Sequence, residues 1–523
     1  MKKWMMAVMA ATLLISCGPA TVPEQYVESN MLPKIYPEYF DVTVPVNIAP
    51  LSSELLLKVD EAVTRFSAEG DDIVCGGVKA CPDIEEWKSL TEKAKGKDIT
   101  VEVFARKDGN WLRFKPFPIH VSPDSIDAYL SYRLIAPSFV AYEELTLNQR
   151  CLENYEERVM VDNMLCSTES GGQCVNCHNY QQYNPDHMQF HARQNHGGTV
   201  IVYDGKVEKV NMANDSLISA GVYPSWHPWL PIIAYSTNKT MQSFHTTDVN
   251  KIEVLDSESD LMVYDVAHHE VTSIEKGRDD FEIFPFWAPD GKYLYYCSAH
   301  FEYENDSVDA VEVTMRAKEL KYNIYRKAFD PDSMAFGERE LVFDAAAMGM
   351  SATLPRISPD GRWLLFTLGE WGCFHIWHRD ADLWMIDLMN NGLSEMSPAS
   401  STSPTGPTSL ANSASQAWPA EDLNSDNTES YHSWSSNGRW VVFSSRRNDG
   451  VFTRPFIAHF DGKGGFSKPF ELPSENPDYH RQLMKSYNVP ELMLGPVNHT
   501  PQEFADVLKS PGIPVKYVSR LRK

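Results

Sequence analysis

Long hydrophobic runs are missing from this chain. Beyond its N-terminus no apolar stretch approaches the roughly 20 residues that a membrane helix needs, so a helical membrane body is excluded. Basic residues are few. Lys+Arg number 47 against 71 Asp+Glu, for a net charge of −24. That argues against nucleic acid as a partner and against a broad polybasic membrane face. The motifs of common catalysts are also missing. There is no G-x-S-x-G elbow, no Walker loop and no H-E-x-x-H pair. The acidic stretch 302–312 lacks the spacing of a calcium loop and reads as a solvated loop. Cysteine is sparse at nine residues, which makes the position of each informative.

What is present begins with an export signal. Lys2 and Lys3 precede a short apolar stretch, residues 4–15, too short to span a bilayer. It ends in Leu14-Ile15-Ser16-Cys17-Gly18, which resembles the bacterial lipobox. The resemblance implies cleavage before Cys17, a lipid on its thiol, and a protein tethered in the bacterial envelope through its lipid anchor. An ordinary signal peptide with a chance cysteine is the alternative. In an exported chain the remaining cysteines should be paired, modified or buried. Cys75 with Cys81, and Cys151 with Cys166, are the expected disulfides; Cys297 and Cys373 are expected to stay unpaired.

The chain divides by pattern. Residues 1–17 are the signal and 18–40, broken by Pro23, Pro33 and Pro37, a tether. Residues 41–137 alternate as strands do, with a hairpin turning at Asp108-Gly109-Asn110 and a helix over 85–95, and predict a small β-sandwich-like domain. Residues 138–170 read as a helical connector, and 476–523 as a tail packed across the preceding domain.

Between them, residues 171–475 carry an internal repeat. Tyr223-Pro-Ser-Trp-His-Pro, Phe284-Pro-Phe-Trp-Ala-Pro-Asp-Gly, Leu354-Pro-Arg-Ile-Ser-Pro-Asp-Gly and Tyr431-His-Ser-Trp-Ser-Ser-Asn-Gly align, and an apolar strand follows each. Gly291, Gly361 and Gly438 supply the positive φ such turns need. This is the pattern of a propeller blade, whose sheet cannot bury both faces alone. Residues 197–210 read as the outer hairpin of a further unit, giving five blades, the first over 171–210 and the last over 431–475. Aligned positions are 61, 70 and 77 residues apart, more than the roughly 40–45 of compact blades, so loops are inserted. The Ser/Thr/Asn/Pro-rich stretch 396–429 is expected to be disordered.

The chemistry-bearing motif is Cys174-Val175-Asn176-Cys177-His178. C-x-x-C-H is the attachment signature of c-type haem: two sulfurs form thioethers and the histidine ligates iron. On one helical turn the two sulfurs would reach both vinyl groups. A redox disulfide, half of a zinc site and a structural disulfide are the alternatives. For the second axial position His191 is favoured, with Met188 as the alternative. In residues 188–193 strand alternation puts Met188 and Phe190 on one face and His191 and Arg193 on the other, and Arg193 is placed to pair with a haem propionate. His187 and His196 read as solvated loop residues, and His375 and His378 as remote candidates.

The repeats over about 200–475 resemble the TolB-like propeller repeat. With Tyr132-Arg-Leu-Ile135, the C-x-x-C-H segment, His191-Ala-Arg193 and Gly197-Gly198-Thr199, the chain resembles a group of Gram-negative envelope lipoproteins. These join an N-terminal β domain, one C-x-x-C-H segment and a TolB-like propeller. The resemblance implies an all-β fold and one covalent haem c, and says little of substrate. The expectation is an envelope electron carrier or redox sensor rather than an enzyme, docking an unidentified redox partner. The rival is a propeller without haem that binds an envelope protein or glycan.

Overall fold

A computed structural model describes residues 20–136, 144–166, 173–304, 307–390 and 417–521. The fold is all-β. Six sheets, each with four antiparallel strands, stand radially around a channel, as a propeller, and the first two gain a fifth, parallel outer strand from Ile513–Pro514 and Lys516–Tyr517. Their innermost strands are Gln173–Gln181, Val222–Trp226, Asp280–Trp287, Ser351–Ile357, Glu429–Trp434 and Ser486–Met493. Each touches the next, and the last returns to the first, so the ring is closed.

Five blades were expected and six are found. The sixth is built from both sides of the repeat region. Its outer strands are Tyr129–Ile135, Thr146–Cys151 and Glu157–Asp162, and its inner strand is Ser486–Met493 from the tail. Within the expected helical connector, residues 144–166 hold a strand pair, and the tail supplies an inner strand as well as lying along the outer edges of the first and second blades. The cause is tertiary. Leu130, Tyr132, Leu147, Met160, Tyr487 and Leu492 are buried between blades, and that burial overrides the helix-compatible local sequence. Closing a ring with strands from two distant segments leaves no open blade edge at the seam.

The N-terminal domain ends earlier than expected, before Tyr129. Its main sheet has seven strands, including Glu61–Ala68, Asp98–Lys107 and Phe117–Ser122. The predicted hairpin is present, with Lys107 opposite Asn110 and left-handed backbone at Asp108 and Gly109. The predicted helix is Ile84–Lys93, capped by the Asp83 carboxylate. It buries Trp87 edge-on to Phe66, with ring centroids 5.7 Å apart. Residues 20–40 are not a loose tether: Val27–Glu28 and Ile35–Tyr36 join the domain's sheets, and Ile35 and Tyr39 are buried.

This domain packs on the fifth and sixth blades through one continuous apolar core that includes Trp440, Ile457, Leu472 and Tyr487. Ser436 backbone N–H donates to Asp127 Oδ2 at 2.7 Å, and Tyr36 Oη donates to buried Glu471 at 3.0 Å. In the fourth blade Ala417–Pro419 is the outer strand, so the end of the segment expected to be disordered is structured; residues 391–416 lie outside the described residues. The lipobox with Cys17 also lies outside them.

Cys151 and Cys166 cannot form the expected disulfide. Cys151 sits at one end of its hairpin, and Cys166 follows the opposite end, where Thr146 faces Asp162. Five strand residues at about 3.4 Å each exceed the Cα separation a disulfide spans. Cys75 and Cys81 lie beside one another as free thiols, and Cys297 and Cys373 are buried and free.

Candidate functional site

Each of the six inner strands carries one non-glycine residue with left-handed backbone. These are Cys177, Tyr223, Phe284, Leu354, Tyr431 and Val489, with φ from 45° to 57°. Each sits at a break in register with the neighbouring strand, the mark of a bulge. Such backbone costs about 1–3 kcal/mol per residue and persists where the surroundings enforce it. All six residues line one cavity of about 440 Å³ on the propeller axis.

This ring extends the repeat. Cys177-His178-Asn179-Tyr180 occupies the place of Tyr223-Pro-Ser-Trp226 in the first blade, and Val489-Pro-Glu-Leu492 occupies it in the sixth. Both copies were present in the sequence but lack the Asp-Gly or Asn-Gly turn that marked three of the others. The C-x-x-C-H motif is thus on the bulged inner strand Gln173–Gln181, not on a helical turn. In a regular strand Cys177 and His178 would point to opposite faces. The bulge defeats that alternation, and Cys174, Cys177 and His178 all border the cavity.

His178 is 2 % exposed, no side chain hydrogen-bonds its ring nitrogens, and its nearest polar neighbours are the Ser131 and Val489 backbones. Burial, then the charge of Arg133, pushes its pKa down to about 3. The imidazole is therefore neutral, the form that offers a lone pair to a metal. His432 stands at the equivalent place in the fifth blade and is satisfied differently: its Nε2 donates to the Leu365 carbonyl at 2.9 Å. Cys174 is half-buried and Cys177 buried, both as free thiols, and burial raises the Cys177 pKa.

Rings from Tyr223, Phe244, Phe284, Phe374 and Tyr431 make the wall largely apolar, with neutral polar groups from Asn176, Asn179, Gln194, Thr240 and Gln242. Its charged members are Arg133, Arg193, Arg356 and Glu491. Arg193 lies directly across from Cys174 in the strand pair. Arg356 Nη2 donates to Glu491 Oε1 at 2.8 Å. That pair also borders a second, smaller cavity of about 170 Å³ further along the axis, so it partitions the channel. Sequence reasoning missed Arg133, Arg356, Glu491 and the aromatic ring. The first residue of each repeat was their signal, since it is the one that faces the axis.

The candidates for a second iron ligand are elsewhere. Met188 is fully buried with Phe190 in a core cluster and does not border the cavity. His191 is buried on the other face, with Nδ1 3.1 Å from Thr199 Oγ1, and is not in the cavity wall either. His187 pairs with Gln181 at 2.8 Å, and His196 is half-buried. His375 contacts Thr353 at 2.8 Å, and His378 contacts Glu253 at 2.7 Å. Among the described residues no group of three or more His, Cys, Asp or Glu side chains is arranged to hold a bare metal ion. Nor is any helix among them long and apolar enough to cross a membrane.

Fold and site define a six-bladed β-propeller with a cysteine- and histidine-edged axial cavity. No protein-family profile matches the chain, and no curated protein matches it. Solved structures with similarity include a puromycin-hydrolysing peptidase of Mycobacterium tuberculosis, 11% identical, with a TM-score of 0.34 over 83% of this chain and 57% of that one. Prolyl oligopeptidase B of Galerina marginata is 10% identical, with a TM-score of 0.35 over 78% of this chain and 52% of the other. A GH74 enzyme of Niastella koreensis is 10% identical, with a TM-score of 0.33 over 70% and 55%. The chain spans little more than half the length of the first of these proteins.

Proposed function

We propose that this protein is an envelope lipoprotein, tethered through Cys17, that carries one covalent c-type haem in its axial cavity and serves electron transfer or redox sensing. Cys174 and Cys177 form the thioethers and His178 ligates the iron. The observation that carries the reading is the bulge at Cys177, which gathers both thiols and a buried imidazole on one cavity wall. The donor set fits the group: two sulfurs, a neutral nitrogen ligand, an apolar enclosure and cationic side chains. When bound, haem supplies a one-electron couple. The chain's own residues exclude water with their aromatic rings and hold His178 deprotonated by burial. The proposal carries His178 alone as protein ligand, because His191 and Met188 stand outside the wall.

One observation favours a second reading. Cys177-His178 occupies a repeat position held by Tyr-Pro, Phe-Pro, Leu-Pro, Tyr-His and Val-Pro in the other blades, a place with a structural role in its own right. On that reading the propeller binds an envelope protein or glycan without haem. A haem stain after denaturing electrophoresis separates the two. Protein from a host with cytochrome c maturation machinery should stain, and the Cys174→Ser/Cys177→Ser variant should not. An unstained wild-type band leaves the binding module.

A further inference from the structure

Exposed apolar side chains are not spread evenly over this chain. Of the 19 large ones exposed among the described residues, six gather on one rim of the N-terminal domain: Tyr26, Val27, Met31, Leu32, Leu57 and Val78. Backbone contacts make the rim continuous. Val27 lies opposite Leu112 in the sheet, and Lys115 N–H donates to the Met31 carbonyl at 2.9 Å. Leu56 N–H donates to the Lys34 carbonyl at 2.7 Å, and Leu55 N–H to the Val78 carbonyl at 2.8 Å. Val27 is 64 % and Met31 66 % exposed, so a surface that covered them would take most of their area out of water. An apolar patch of this kind marks a protein or membrane contact.

The chain reaches this rim directly from Cys17. Ala20 packs on Gly76, two residues before Val78: a Cβ added at Gly76 would stand 3.0 Å from the Ala20 Cβ. Residues 18 and 19 alone separate Ala20 from Cys17, so the two Cα atoms are at most about 11 Å apart. The segment after Ala20 is built into the domain's sheets, so a lipid on Cys17 holds a shaped surface against the bilayer rather than a loose chain. Charge at the rim is also unlike that of the whole. Within two residues of the six stand Lys34, Lys58 and Lys79 against Glu24 and Glu28, and Glu28 is paired with Arg113 at 3.2 Å. In a chain of net charge −24, this is a face that an anionic bilayer does not repel.

We propose that this rim is a membrane seat, whose six apolar side chains enter the interfacial layer of the bilayer while the neighbouring lysines reach its headgroups. This rests on the lipid anchor at Cys17 proposed above and names the face that the anchor presents. Lysine stems cover apolar surface while their ammonium groups stay at the headgroup level. A single acyl-type anchor leaves a protein free to swing, and a second contact fixes it. The N-terminal domain shares one core with the fifth and sixth blades, so a seated domain holds the propeller in one orientation to the membrane.

The test is hydrogen exchange on the lipidated chain in vesicles of phosphatidylethanolamine with phosphatidylglycerol, compared with the Cys17→Ala chain free in solution. On vesicles, residues 26–34 and 55–58 should exchange at least about fivefold more slowly, while residues 244–252, at the tip of a hairpin in the second blade, should not change. Met31→Glu/Leu32→Glu should stay with the vesicles through its lipid yet lose most of the slowing. Both positions are exposed, and a thermal melt shows that the variant folds. Met31→Ala/Leu32→Ala should keep part of the slowing, because it removes area without adding charge. Equal exchange with and without vesicles, or undiminished slowing in the glutamate variant, overturns the proposal. So does slowing at the rim without vesicles that grows with protein concentration, which means a second copy of the chain covers it. Failure here is distinct from failure of the anchor. A lipid mass on Cys17 with no slowing at the rim refutes the seat alone. With no lipid mass on Cys17 the anchor fails, and the unlipidated chain in excess vesicles decides the seat: slowing there upholds it and its absence refutes it.

Discussion

The seam of the ring should fail first when Tyr487 is cut back. Tyr487 lies on the inner strand of the sixth blade and is fully buried. Its ring centroid is 4.6 Å from that of Tyr132 on the neighbouring strand, and His480 Nε2 is 3.1 Å from its hydroxyl. Truncating a buried aromatic to alanine costs about 3–5 kcal/mol, and loss of a close ring pair adds about 1 kcal/mol. Tyr487→Phe keeps the packing and loses the hydroxyl contact, at about 1 kcal/mol. Urea unfolding gives the two values. Hydrogen exchange locates the loss: amides of Tyr129–Ile135 should lose protection in Tyr487→Ala while those of Tyr293–His300, in the third blade, keep theirs. If alanine costs no more than phenylalanine, or both strands lose protection together, the ring is not closed as described.

Further expectations concern other parts of the molecule. Glu282 is buried with acidic neighbours, chiefly Asp280, and burial first, then their charge, raises its pKa from 4.5 to about 8. A carboxyl that holds its proton more tightly when folded loses stability as pH rises from about 4.5 through 8. Glu282→Gln should therefore be increasingly stabilised over wild type across that window, by at most about 5 kcal/mol above it, in melts recorded from pH 5 to 9; a gap that stays flat with pH refutes this. Gly291 has φ +63°, and an added Cβ would stand 2.7 Å from the His227 ring. Gly291→Ala should cost about 2 kcal/mol more than Gly109→Ala, where φ is +80° and no atom is within 4 Å, and equal urea midpoints would contradict the clash. Cys17→Ala should release the protein from membranes into the soluble fraction, and retention after a high-salt wash would argue against lipid attachment.

How much was legible in the sequence depended on how strictly each segment kept the repeat. The Pro-Asp-Gly and Ser-Asn-Gly turns after Trp287, Ile357 and Trp434 marked three blades, because a tight turn with positive φ admits few residue types. The first blade was found through its outer hairpin, Gly198–Tyr203 and Lys206–Asn211. The sixth was not found, since Val489-Pro-Glu-Leu492 lacks the turn and its partner strands lie more than 300 residues upstream. No local pattern encodes pairing at that distance. Helix-compatible composition over 142–160 misled for the same reason: Leu147, Met160 and Val161 answer to a core supplied by remote strands. At the site, C-x-x-C-H singled out Cys174, Cys177 and His178, while the reason they converge, a bulge shared by six strands, is a property of the ring.

Cys174, Cys177 and His178 are proposed to hold a covalent haem in the axial cavity. The most direct measurement is the reduced-minus-oxidised spectrum of protein matured in a host that attaches c-type haem, paired with the mass of the peptide spanning residues 174–178. The expected result is a c-type α-band and one haem mass on that peptide. A spectrum without the band, with the peptide at its unmodified mass, would contradict it.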